Sequence, residues 1–235
     1  MLGSWEIKVS TNYPQKVATA LGNLNEHLLG AEYTPVAYVG SQVVNGTNHA
    51  VLAEQLILSG KDTKNAVILI FNEKPNEMEA TLVNIERVVE SGGKLGGIEV
   101  NVTTEIPEDA KAAFESVMEG FVGSKVEPFA FLGSQVVKGT NYIFAATVAP
   151  VVKDPVEHAA IVIVNSMTGE LSFTDLLGTK TNSLMLGYAF TWMKKQNTCL
   201  GAPLGEWINH PVHIFRCFCH LSLCAQRASH HTYRE

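Results

Sequence analysis

The chain has 235 residues, with 17 Lys and Arg against 23 Asp and Glu and a formal net charge of −6, giving a sequence pI near 5.8. It contains no basic block, so nucleic acid and anionic membrane surfaces, which both select clustered Lys and Arg, are excluded as expected partners. The opening residues carry no basic stretch followed by an apolar run, and no later segment is long and apolar enough to span a bilayer, so the expectation is a soluble cytoplasmic protein.

In chain order, residues 5–11 alternate apolar and polar side chains and predict a first strand. Pro14 is placed to open a helix, where its missing N–H costs nothing. Val17, Ala20, Leu21, Leu24 and Leu28 then make one apolar stripe, and Gly30 closes the segment. A strand is predicted at 35–39, followed by a loop over 40–48 and a strand over 48–58. Two strands around a short glycine-containing segment predict a hairpin. Residues 66–72 are apolar on both faces, which predicts burial on both sides, where two units touch. A fifth strand is predicted at 79–89.

The same order then begins again. Gly40-Ser41-Gln42-Val43-Val44-Asn45-Gly46-Thr47-Asn48 returns as Gly133-Ser134-Gln135-Val136-Val137-Lys138-Gly139-Thr140-Asn141, identical except at the sixth residue, and the offset is 135 − 42 = 93. At that offset residues 98–104 repeat the first strand and Pro107 repeats Pro14. Ala110, Ala113, Phe114, Val117 and Phe121 repeat the helical stripe up to Gly123, and residues 159–165 repeat the doubly apolar run. The register is lost only near 171–177. These observations predict a duplicated unit. Its class is α+β, one helix across a four- to five-stranded antiparallel sheet in each copy, with repeats at 1–93 and 94–180 and an irregular tail at 181–235.

Gln42-Val43-Val44-Asn45-Gly46 and Gln135-Val136-Val137-Lys138-Gly139 both match the Gln-x-Val-x-Gly loop of the cystatin family, and the order of elements resembles that family's across roughly 1–93 and 94–180. The lack of cysteine in both repeats is similar to the cytosolic stefin branch. The resemblance implies two tandem cystatin-like domains and reversible, tight-binding inhibition of papain-like cysteine proteases, with no enzyme activity, cofactor or metal. It also implies a wedge of three elements: the glycine segment (Gly3, or Gly96 and Gly97), the hairpin loop (Gln42 to Gly46, or Gln135 to Gly139), and a second loop. That second loop is Asn72-Glu73-Lys74-Pro75 or Ser166-Met167-Thr168-Gly169. Neither second loop carries the Pro-Trp pair of secreted cystatins, and only Pro75 supplies a proline.

Physical reasons suit those residue types to docking. A stiff tip loses little entropy, valine gains by leaving water, and glycine permits close backbone approach. The competing explanation is a hairpin that merely needs a glycine turn. It accounts for Gly46 and Gly139 but not for paired valines where polar residues are usual. A non-inhibitory binding or structural protein, self-associating through its apolar strands, is the alternative. Within the repeats no cysteine stands near His27, His49 or His158, so a thiol–imidazole enzyme is not expected. The tail holds Cys199, Cys217, Cys219 and Cys224, but Cys217-Phe218-Cys219 lacks a matching second pair, which argues against a zinc site.

Overall fold

Alternating and doubly apolar segments assemble into two antiparallel sheets in a computed structural model that describes residues 3–27, 30–59, 63–92 and 96–177. The first half runs β1 (Trp5–Ser10), α1 (Gln15–His27), β2 (Ala31–Val44), β3 (Gly46–Ile57), β4 (Thr63–Glu73) and β5 (Thr81–Glu90). The second runs β6 (Ile98–Thr103), α2 (Glu108–Met118), β7 (Ser124–Val137), β8 (Gly139–Pro150), β9 (His158–Asn165) and β10 (Leu171–Asp175). Strand order is β1-β2-β3-β4-β5 in one sheet and β10-β9-β8-β7-β6 in the other, so the class is α+β.

The two halves share their irregularities. β2 is bulged between Pro35 and Ala37 and between Tyr38 and Gly40, and β7 is bulged between Pro128 and Ala130 and between Phe131 and Gly133. A proline cannot donate to a ladder, and a bulge is where a strand tolerates one.

The sheets place their apolar side chains in three clusters. Val17, Ala20 and Leu21 of α1 pack on Val51, Val67, Leu69 and Phe71. Ala110 and Phe114 of α2 pack on Phe131, Phe144, Val162 and Val164. The opposite faces, including Ala50, Leu52, Ala66 and Ile68 from one sheet and Ile143, Ala145, Ala159 and Ile161 from the other, join in a single cluster. The layers therefore run helix, sheet, sheet, helix. Side chains alternate across a strand, so β4 sends Val67 and Leu69 to its helix and Ala66 and Ile68 to the other sheet. That is why residues 66–71 are apolar throughout.

Three expectations need correction. The segment 40–48 is mostly strand: β2 continues through Val44 and β3 begins at Gly46, leaving Asn45 alone between them. The second helix does not reach Gly123 but ends at Met118, and Phe121 lies beyond it, packed from the following turn against Phe173 at 5.8 Å between ring centres. Asn72 and Glu73 belong to β4 rather than to a loop. The cysteine- and histidine-containing tail lies outside the described residues.

Candidate functional site at the hairpin tips

Each β2–β3 type hairpin ends in a tip whose backbone is forced by two glycines. Gly46 and Gly139 have φ of +96° and +86°, a region that side chains disfavour. A Cβ on Gly139 would also stand 2.6 Å from the Met167 Cβ, and one on Gly46 would strike the Glu73 carbonyl oxygen. Six residues earlier in each unit, Gly40 and Gly133 let β1 and β6 approach so closely that a Cβ would overlap the carbonyl oxygens of Glu6 and Glu99.

Between these glycines the side chains build an amide ladder that sequence reasoning did not find. Gln42 Nε2 donates to the Gly3 carbonyl at 2.7 Å, Asn48 Nδ2 donates to Gln42 Oε1 at 3.1 Å, and Asn72 Nδ2 donates to Asn48 Oδ1 at 2.8 Å. The second half repeats it. Gln135 donates to the Gly96 carbonyl at 2.7 Å, Asn141 to Gln135 at 3.2 Å, and Asn165 to Asn141 at 2.8 Å. The rungs lie on paired positions, Gln42 opposite Asn48 and Asn48 opposite Asn72, so the ladder crosses the sheet just beneath the tip. It ties together the glycine segment, the hairpin and the strand leading to the second loop. The signal was present in sequence: Asn48 and Asn72 recur as Asn141 and Asn165 at the same offset as the glutamines.

The valines stand outside this framework. Val43 and Val44 are 53% and 42% exposed, Val136 and Val137 72% and 44%. Asn45 and Lys138 at the apex are exposed, as is Pro75 in the second loop, while Gly97 is half-buried. Near the second tip Met167 is also exposed and abuts Gly139. Its turn is fastened by Asn165, whose Oδ1 accepts from the Met167 and Thr168 amides at 3.0 and 2.8 Å and whose Nδ2 reaches the Lys138 carbonyl at 3.2 Å. Met167 lies in Ser166-Met167-Thr168-Gly169, the segment expected to form the second loop of this repeat. In the first half the longer loop instead carries Met78, almost fully exposed, and a Lys74–Glu77 ion pair at 2.9 Å.

The undersides of the tips differ. Beneath the first, His49 is buried, with Nδ1 2.9 Å from the Tyr38 hydroxyl. Its Nε2 lies 3.3 Å from Glu73 Oε2 but makes no hydrogen bond, and Lys16 Nζ is 3.3 Å from the other Glu73 oxygen. Burial holds this imidazole below its ordinary value, against the opposing pull of Glu73. At the same offset stand Tyr142, Phe131, Ser166 and Asp109, and the Tyr142 hydroxyl donates to Asp109 at 2.8 Å.

Nothing at either tip pairs a nucleophile with a base, and among the described residues no group of His, Cys, Asp or Glu is placed to hold a metal ion. Among them, too, no helix is long and apolar enough to cross a membrane. What the tips present is a pair of exposed valines each, on a hydrogen-bonded framework. No protein-family profile matches the chain, and no curated protein is similar enough to count as a relative.

Proposed function

We propose that the chain is a reversible inhibitor of papain-like cysteine proteases built from two tandem cystatin-like repeats, each blocking a protease cleft with its Gln-x-Val-x-Gly hairpin. The observation that carries this reading is the exposure of both valine pairs on tips braced by the amide ladder. An exposed apolar pair on a rigid backbone gains by burial in a partner and loses little entropy in docking. The glycine segment and the second loop sit beside each tip, so three contact elements share one sheet end. Inhibition on this reading is occupation of the cleft and needs no reaction. The cytoplasm is the compartment it implies, since neither repeat contains a cysteine.

A second reading has its own observation. Gly40, Gln42, Gly46 and Asn48, and their counterparts, each have a role inside the fold, so a non-inhibitory binding or structural protein would also keep them. The valine side chains, by contrast, are largely exposed. Titrating papain with the intact protein decides between the two: inhibition is expected, and its complete absence overturns the first reading. Changing Val43, Val44, Val136 and Val137 together to Asp is expected to abolish inhibition while the thermal transition stays in place.

A further inference from the structure

We infer that one chain seats two protease molecules at once, because the two tips lie at opposite ends of the paired sheets. The inference rests on the reading above and specifies the partner count and the geometry of its surface.

The placement follows from strand register. In the first sheet the tip end holds Val44, Gly46, Glu73 and Thr81, and the far end holds Ala31, Ile57, Thr63 and Glu90. The chain leaves β5 at that far end. It enters β6 at Ile98, which pairs with Gln135 beside the second tip. The two strand ends are neighbours: the Gly92 amide, just past β5, donates to the Ile98 carbonyl at the start of β6 at 3.2 Å. The second tip therefore lies by the far end of the first sheet, a full strand from the first tip. The twelve residues of β3 span eleven steps, which at the usual strand rise put that separation at about 36 Å.

Direction follows from the shared core. If both hairpins pointed the same way, the second sheet would extend beyond the first and the two could not overlap. They do overlap: mid-strand Ala50 and Leu52 share one cluster with Ile143 and Ala145, and Trp5 and Ile7, near the first tip, pack against it. β6 runs from that far end back over the first sheet, where the Val102 amide reaches Glu54 Oε2 at 3.2 Å, and the second hairpin strand β7, antiparallel to β6, therefore points away from the first tip. A globular protease on one tip leaves the other uncovered.

The tips are not interchangeable. The first presents Asn45 with the charged loop of Lys74 and Glu77, and the second presents Lys138 with Met167. Two sites of different chemistry are expected to bind one protease with different affinity, giving two resolvable steps.

The test uses the full chain and papain whose active-site thiol is blocked by a small methylthio group. The mass of the complex is measured by light scattering after size exclusion. With excess protease the expected complex holds two protease molecules per chain. Val43→Asp with Val44→Asp, and separately Val136→Asp with Val137→Asp, are each expected to leave one. Saturation of the unaltered chain at one protease, with inhibition of active papain intact, overturns the two-partner inference and leaves the inhibitor reading standing. Absence of both complex and inhibition overturns the inhibitor reading, and this inference with it.

Discussion

At the scale of single residues the tips set positions locked by contacts inside the fold beside positions exposed to solvent. Gln135 is a rung with partners on both sides, and Gln135→Ala strands the Asn141 amide and the Gly96 carbonyl. The expected cost is about 1–2 kcal/mol, which calorimetry should read as a fall in Tm of about 2–8 °C. Gly133→Ala drives a methyl into the Glu99 carbonyl from a φ of +150°, and a loss of about 2 kcal/mol or more is expected, with faster amide exchange along β6. His49 gives a pH dependence. The unfolded imidazole binds its proton near its ordinary value of about 6.5, and the buried ring binds it only at lower pH. Between those values the unfolded chain holds more protons, so this contribution is complete above about pH 6.5 and is lost as pH falls below it. The facing groups are Tyr38 on β2, Glu73 on β4, Lys16 on α1 and, toward Tyr38, Glu6 on β1. Thermal melts at pH 7 and 5.5 should show a larger loss for the parent chain than for His49→Tyr, which installs the residue found at the equivalent position of the second half.

Elements show where sequence reading succeeds and where it stops. Repetition and periodicity identified the helix and strands in each half, because burial on one face or on both writes itself directly into residue order. The extent of β2 and β7 was not legible. Gly40, Pro35 and the polar Ser41-Gln42 suggest a loop, yet bulges absorb the proline and glycine, and the ladder gives the glutamine partners within the sheet. The register lost after β9 also has a local cause. Phe71 pairs with Leu82, and the equivalent Val164 pairs with Leu171, so the offset there is 171 − 82 = 89 and the second turn is four residues shorter. The exposed valines were legible as an anomaly, whereas the ladder required knowing which strands are neighbours. Double burial of β4 is open to test. Ile68 and Leu69 are both fully buried but on opposite faces, so Ile68→Ala and Leu69→Ala should each cost about 2–5 kcal/mol in urea unfolding. A strand with one solvated face would show that loss at only one of them.

For the whole molecule the decisive feature is the cluster shared by the two sheets. Each sheet covers one face with its own helix and the other with its neighbour, so neither half encloses all of its apolar surface alone. The Val102 amide reaches across to Glu54 Oε2 at 3.2 Å, and Glu54 in turn pairs with Lys64 at 2.8 Å, so the contact has a polar margin as well. Duplication could have yielded two independently stable bodies joined by a linker, and such bodies would unfold in separate steps. A common core couples them, because losing one half exposes Ala50, Leu52 and Ile68 or Ile143, Ala145 and Ile161 on the other. Calorimetry of the full chain is therefore expected to give one transition across both sheets, with calorimetric and van't Hoff enthalpies in agreement. Ile143→Ala, which opens a cavity in the shared cluster, should lower that transition as a whole rather than split off the second half. Two resolved transitions, one of them untouched by Ile143→Ala, would mean that the halves fold independently and that the shared cluster contributes little to either.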